Sequence, residues 1–301
     1  MYQDFLNHIR NSCPDLEIRC REPLAKYTSF RIGGPAEYIL FPADIRELAV
    51  CIKASGEYGV KYRVLGAGTN VLAPDEGLNE IVICLRERFS QVELTGACTI
   101  CAMAGATLAK VAVFARDESL TGLEFAHGIP GTVGGGVYMN AGAYGGELSQ
   151  RITSVTVIDP LGQVMEYSAE EAGFAYRHSI FQENGCVIAK AEFTLAHGER
   201  EEIWSVMQEY MKRRKASQPL ELPSAGSTFK RPAGHFAGAL IEQSGLKGVR
   251  VGGAQVSNKH AGFVVNTGDA TSAEIKELIR TVQYTVRKNF GVHLEPEVEI
   301  W

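Results

Sequence analysis

Residues 122–147 read GLEFAHGIPGTVGGGVYMNAGAYGGE. Glycine recurs at 122, 128, 131, 134, 135, 136, 142, 145 and 146, so little of this stretch is expected to pack as ordinary helix or strand. Glycine lets a backbone approach a ligand with no Cβ in the way, and rows of exposed N–H groups suit an anion such as a pyrophosphate. Tight turns in a β-rich domain would use glycine as well. Two features favour the anion cradle. Ile129, Pro130, Val133, Val137, Tyr138 and Met139 are interleaved with the glycines, unlike a flexible linker. The stretch is also far too long for one turn, and long ordered loops in compact domains are usually functional.

Upstream, residues 62–65 read as a strand running into Gly66, Ala67, Gly68, Thr69, Asn70, Val71 and Leu72. This heptad supplies G-x-G after a strand, but Val71 replaces the third glycine of a dinucleotide fingerprint. No helical pattern follows: 73–77 is a loop and 80–84 another strand. A Rossmann unit requires strand, glycine turn and helix in that order. The heptad therefore reads as a second phosphate-cradling loop that cooperates with the first. Before it, 36–41 alternates as a strand, and Pro42 introduces a helix with Ile45, Leu48, Ala49 and Ile52 on one face. Residues 1–26 read as a short helix and an irregular lead-in.

Segments 92–95 and 98–103 are extended, and 107–118 is helical through Leu108, Val111, Ala112 and Ala115. Strands at 152–159 and 163–167 flank a turn, and 186–195 is a further strand. This order is mixed α+β rather than a βαβ repeat. Composition changes near His197 and Gly198, where a domain boundary is placed. Residues 200–215 form a charged helix ending in KRRK, either a solvated end that complements the helix dipole or a clamp on a diphosphate. The remainder is a smaller α+β unit. Its last long helix opens on Thr271 and Glu274 in capping-box spacing and ends near Gly291.

Thirty Lys and Arg against 35 Asp and Glu give a net charge of -5, which argues against a general nucleic-acid binder. No apolar run approaches the ~20 residues that span a bilayer, and the N-terminus MYQDFLNHIR lacks a signal-peptide core, so a cytoplasmic protein is expected. Seven scattered cysteines fit reduced thiols. Cys98 and Cys101 make a C-x-x-C, but on an extended segment positions three apart point to opposite faces, and no second pair completes a metal site. They read as core thiols, and no metal is expected. No G-x-S-x-G, H-E-x-x-H or Walker A sequence occurs. His127 is the histidine to watch, because histidine can anchor a flavin covalently; a hydrogen-bonding loop residue is its plainer role.

Four blocks together resemble the UDP-N-acetylenolpyruvoylglucosamine reductase family. They are 27–35 (YTSFRIGGP), 65–72 (LGAGTNVL), the whole 122–147 loop, and 224–232 (SAGSTFKRP), with 237–266 and 294–298 (LEPEV) adding to them. The likeness runs from about residue 24 to 300 in the right order. The chain is similar to the shorter class of these enzymes, since no tyrosine-bearing insertion precedes the C-terminal unit.

The resemblance implies an FAD-binding domain of the vanillyl-alcohol-oxidase type over 27–198 and a C-terminal α+β substrate domain over 199–301, after the lead-in at 1–26. It implies noncovalent FAD with its pyrophosphate on Gly66, Ala67, Gly68, Thr69, Asn70, Val71 and Leu72, and on Gly128, Ile129, Pro130, Gly131, Thr132, Gly134, Gly135, Asn140, Gly142 and Ala143. NADPH would reduce the flavin. A UDP-N-acetylglucosamine enolpyruvyl ether would then be reduced to UDP-N-acetylmuramate for peptidoglycan synthesis. Ser227 matches the family's proton donor, Arg177 the residue facing the substrate carboxylate, and Glu297 a partner of the same carboxylate. On sequence alone Glu295 and Glu299 are equal candidates, and only the match of Glu297-Val298 to the family's terminal motif selects Glu297. Lys215 and Arg231, with Arg214 as competitor, fall near positions that hold diphosphate or nicotinamide phosphates. The chain departs from the pattern at Thr69 (commonly serine), at Gly136 (commonly alanine) and at the closing Glu299-Ile300-Trp301. A monomer or weak dimer is expected. A flavin oxidase on the same scaffold and a catalytically silent FAD or nucleotide sensor are the alternatives.

Overall fold

Phe5, Leu6 and Ile9 recur at helical spacing and are buried on α1 (Tyr2–Ser12), the first element of a computed structural model that describes residues 2–301. Helix α2 (Ile45–Glu57) starts where Asp44 accepts the Glu47 N–H at 2.8 Å, and it buries Leu48, Cys51, Ile52 and Ala54. Helix α3 (Leu108–Asp117) is capped in the same way by Thr107 and buries Leu108, Val111, Ala112 and Ala115. Each side-chain cap satisfies an N–H that the first helical turn cannot, worth about 1 kcal/mol.

Two compact units, each built from three stretches, make up the chain. The first takes residues up to Cys20, Tyr38–Ala67 and Glu80–Lys212; the second takes Arg21–Glu37, Gly68–Asn79 and Arg213–Trp301. The units are thus interleaved along the chain, where the sequence suggests consecutive segments.

The first unit is organised by two sheets. One has the order Glu17–Pro23, Pro35–Phe41, Leu78–Cys84, Tyr62–Leu65, and its last pair is parallel with Tyr62 opposite Ile81. The other is antiparallel, in the order Val164–Ser168, Ile152–Ile158, Val187–Thr194, Thr99–Met103, Val92–Gly96. Their inward residues, among them Ile81, Ile83, Ile100, Val155, Val157, Ala189 and Phe193, join the buried faces of α1, α2 and α3 in one core. Strand Glu17–Pro23 corrects the irregular lead-in expected for this segment. It lies at a sheet edge, exposes Arg19 to Arg21, and carries no apolar alternation to read. Charge on an edge strand is what keeps it from pairing with other chains.

The 122–147 stretch holds more regular structure than its glycine content suggests. Val133–Tyr138 is a short helix, α4, and Gly142–Ala143 pairs with Gly146–Glu147. Thr132 caps α4 through its hydroxyl. The glycines there serve packing: a Cβ at Gly136 would lie 2.8 Å from Leu148 Cδ1, and one at Gly134 would lie 3.0 Å from the Ala104 Cβ. Helix α5 (Arg200–Ser217) follows, burying Ile203 and Met207 in the first unit.

The second unit packs α6 (Ala237–Gln243) and α7 (Ser272–Phe290) on a three-stranded sheet, Arg250–Val251, Ala254–Val256 and Val264–Asn266. Its core joins Ile275, Leu278, Ile279, Val282 and Val286 of α7 to Phe30, Ile32 and Leu72 from far earlier in the chain. The capping box of Thr271 and Glu274 is present, and Gly291 ends α7 with φ 69°. Asp75 adds a second cap from a distant loop, accepting the Ser272 and Ala273 N–H groups at 2.7 and 3.1 Å. Among the described residues, no helix is long and apolar enough to cross a membrane.

Two measurements test this account. Asp75→Ala removes the distant cap of α7 and should cost about 1 kcal/mol of stability in denaturant unfolding; an unchanged midpoint and slope would contradict its role. His127 and His260 are both held below the ordinary histidine value of 6.5, first by burial, with Arg116 adding to the effect at His127. The unfolded chain therefore takes up protons that the folded chain resists, so the penalty is absent above about pH 6.5 and grows as pH falls from there. The melting temperature should drop between pH 7 and 5, and less steeply in His127→Phe.

Candidate active site

In the first unit the two glycine loops meet at one point. A Cβ on Gly66 would run into the Thr132 hydroxyl. Several N–H groups of the second loop are used internally: Val133 donates to Ala106 O and Gly134 to Ala104 O, both at 2.8 Å. Gly135 donates to the Thr132 hydroxyl at 3.4 Å. The N–H groups of Gly128, Gly131 and Thr132 have no protein acceptor among the described residues, and neither do those of Gly66, Ala67 and Gly68. Unspent neutral donors on glycine-rich turns are the donor set that a diphosphate requires. Of the residues expected to hold FAD, these therefore fit it directly, while Gly134 and Gly135 have already used their N–H groups on protein.

His127 lies within this loop, but its ring packs edge-to-face on Trp204 at 5.9 Å, with Nδ1 buried and without a partner. Arg116 covers the other ring at 4.6 Å. The imidazole is packed against Trp204 with Nδ1 lacking the hydrogen bond that the plainer reading expected, and burial holds its pKa below the ordinary histidine value. Cys101 is buried in its strand, whereas Cys98 lies outside it with Sγ 3.4 Å from His197 Nε2.

Arg177 also belongs to the first unit. It sits in a four-residue turn closed by reciprocal bonds between Ala175 and His178, 3.1 and 3.2 Å long. Its φ is 55°, a region where glycine is the ordinary occupant. The guanidinium donates to Gly142 O at 3.3 Å and lies 5.1 Å from the Tyr176 ring centroid. A strained, charged residue held against a glycine-rich loop is a candidate for function.

The second unit holds Gly68 to Leu72 together with Ser227 and Glu297. Gly68 has φ 65°, and its Cβ would strike Tyr27 O, so the turn closes only with glycine there. Gly68 O accepts the Ser29 N–H at 2.9 Å, and the Ser29 hydroxyl donates to Ser224 O at 2.6 Å. The 27–35 block thus ties the first glycine loop to the segment carrying Ser227. In that segment Ala225, Thr228 and Phe229 are buried while Ser227 is exposed, and its hydroxyl has no protein partner among the described residues.

Residues 228–230 run antiparallel to 295–297. Lys230 N–H donates to Glu295 O at 2.9 Å, and Glu297 N–H donates to Thr228 O at 2.8 Å. The other side of Glu297 is held by Asn70, whose Nδ2 donates to Glu297 O at 2.9 Å. Asn70 O in turn accepts the Glu299 N–H at 2.9 Å, opening the parallel pairing of Val71–Leu72 with Glu299–Ile300. The three glutamates that the sequence left equal now differ. Glu295 is exposed and paired with Lys230 at 2.6 Å, Glu299 is exposed in its strand, and Glu297 is half-buried with both backbone groups fixed.

Among the remaining cations, Arg231 stacks over Phe236 at 4.0 Å. Lys215 is exposed on the last turn of α5, and its carbonyl accepts Lys259 Nζ at 2.7 Å. Arg214 beside it is half-buried. The sequence reading missed Ser29 and Lys259; a serine between Thr28 and Phe30 carries no pattern that announces a contact 195 residues away.

Gly66→Ala tests the contact between the loops. The protein should fold, because the clash is with one hydroxyl, but should retain less FAD through purification. Full retention of flavin would mean that the Gly66 and Thr132 contact does not shape the cofactor site.

Residues 218–301 match the UDP-N-acetylenolpyruvoylglucosamine reductase C-terminal domain family, and residues 36–168 match the FAD binding domain family. A protein of Lachnoclostridium phytofermentans named UDP-N-acetylenolpyruvoylglucosamine reductase is 45% identical over 98% of this chain and 96% of its own length. One of the same name from Agathobacter rectalis is also 45% identical, over 100% and 99%. The crystal structure of the reductase from Thermus caldophilus superposes with a TM-score of 0.81 at 37% identity, covering 95% of this chain and 98% of that one. A structure of alkyldihydroxyacetonephosphate synthase matches at a TM-score of 0.51 and 16% identity over 65% of this chain and 41% of that one, a likeness of fold alone. The architecture is α+β with an FAD-binding domain of the vanillyl-alcohol-oxidase type. By its relatives over nearly full length, the chain belongs to the UDP-N-acetylenolpyruvoylglucosamine reductase family.

Proposed function

We propose that this protein reduces the enolpyruvyl ether of UDP-N-acetylglucosamine to UDP-N-acetylmuramate, a step of peptidoglycan synthesis, with FAD as its bound cofactor and NADPH as reductant. The observation that carries the reading is the antiparallel bridge between 228–230 and 295–297 in the second unit. It leaves the Ser227 hydroxyl unpaired next to the residue whose carbonyl holds the Glu297 N–H. When bound, FAD supplies the hydride that adds to the β-carbon of the enol ether.

Gly66, Ala67, Gly68, Gly128, Gly131 and Thr132 would hold the FAD diphosphate through the N–H groups that protein leaves unspent. Hydride addition leaves an electron pair on the α-carbon, beside the carboxylate. Ser227 donates the proton that this carbon requires. A serine hydroxyl is a weak acid in water, so the transfer depends on stabilising the enolate-like charge and on holding the hydroxyl in place. Arg177 meets the carboxylate and its developing charge, a role suited to a planar, permanently charged guanidinium. Glu297 adjoins the same carboxylate, protonated or through a hydrogen-bond network.

Lys215, Arg231 and Arg214 are the proposed contacts for diphosphate or nicotinamide phosphates. Along the sequence, the cofactor role is assigned to 27–198 and the substrate role to 199–301, although 27–37 and 68–79 fold into the second unit and 199–212 into the first. The protein acts in the cytoplasm as a monomer or weak dimer.

Purified protein should be yellow, and NADPH should bleach it anaerobically. Adding the enolpyruvyl ether should restore the colour, and failure of that second step would reject the substrate. Ser227→Ala should leave bleaching near normal and slow the return of colour by on the order of 10²-fold or more. Equal loss of both half-reactions would point to structural damage instead.

A further inference from the structure

Asn140 lies in the second glycine loop, 1% exposed, with φ 41°. Its carboxamide is fully committed to protein as a donor. Nδ2 donates to Glu147 Oε2 at 3.1 Å and to Ala175 O at 3.0 Å, while Oδ1 accepts the Ser149 N–H at 3.0 Å. Its own N–H donates to Val137 O at 3.1 Å. No hydrogen is left for a phosphate, so the side chain serves something other than an anion.

That service is visible in what Ala175 O belongs to. Ala175 opens the four-residue turn that carries Arg177 in its left-handed conformation. A non-glycine residue with positive φ is strained and persists only where its surroundings fix it. The fixing is done from the end of α4. Besides Asn140, Tyr138 O accepts the Ser179 hydroxyl and Gln182 Nε2, both at 2.8 Å, and Gln182 Nε2 also donates to Arg177 O at 3.1 Å. One side chain holds the turn before Arg177 and another holds it after.

We propose that Asn140 is a positioning residue for Arg177, with Gln182 as its counterpart, so that the loop offering N–H groups to the cofactor also sets the guanidinium that faces the substrate carboxylate. This rests on the functional reading above. In Asn140→Ala the loop loses both donor bonds while its free N–H groups at Gly128, Gly131 and Thr132 are untouched, so the two half-reactions should separate.

The test measures the half-reactions by anaerobic stopped flow in the FAD-loaded wild type, Asn140→Ala, Arg177→Ala and the double variant. Asn140→Ala should keep flavin reduction by NADPH within about twofold of wild type. It should slow reoxidation by the enolpyruvyl ether by on the order of 10²-fold, the scale of a misplaced catalytic group. Added to Arg177→Ala, the same substitution should cost less than about twofold more, because its route of action is already gone. Gln182→Leu should repeat the pattern and carries the test if Asn140→Ala does not fold. Equal slowing in both backgrounds, or unchanged reoxidation in a flavin-loaded single variant, overturns the positioning role. A wild type that the enolpyruvyl ether cannot reoxidise overturns the functional reading itself, and the role of Arg177 with it.

Discussion

A backbone N–H that protein leaves without an acceptor is open to another partner, and this chain keeps several of them on two glycine-rich turns. Much of the surrounding structure exists to make that possible. The absence of a Cβ at Gly66 lets the first turn rest on Thr132, and Thr132 caps α4 so that the second turn keeps its shape. Gly68 closes against Tyr27 O in a way that no other residue permits. The donors that remain are those that a diphosphate can use, and the donors that would compete with them are taken up by Ala104 O and Ala106 O.

The side chains proposed to act on the substrate sit on stretches of backbone that are themselves firmly held. Glu297 has its N–H on Thr228 O and its carbonyl on the Asn70 amide, which fixes the main chain there. Ser227 projects from a segment whose neighbours Ala225, Thr228 and Phe229 are buried. Arg177 stands in a turn that would ordinarily hold glycine, clasped from α4. Ser227 is exposed, and Arg177 and Glu297 are half-buried, each on a locally anchored stretch, which is how a small group is held in place.

Much of this was readable before any coordinates. Tyr62–Leu65 and the α2 and α3 faces follow from apolar spacing, and Thr271 with Glu274 from capping chemistry. These are local signals, so a linear reading captures them. The edge strand Glu17–Pro23 escaped because charge replaces alternation there, and α4 escaped because its glycines are kept for close packing against Ala104, Leu108 and Leu148. The choice among Glu295, Glu297 and Glu299 could not be made on chemistry, since all three share one strand-like segment. Lys230 and Asn70 distinguish them, and both lie far away in the chain. The roles of Asp75 and Asn140 were hidden for the same reason: their partners are set by tertiary structure.

The threading of the second unit also constrains the birth of the protein. Residues 21–37 and 68–79 leave the ribosome long before 213–301, yet Leu72, Phe30 and Ile32 find their apolar neighbours only there, and Val71–Leu72 pairs with Glu299–Ile300. A nascent chain must therefore carry two unfinished excursions, with their hydrophobic residues uncovered, until residues 213–301 have emerged. The glycine turn at 68–72 thus acquires its support from a strand made more than 200 residues later.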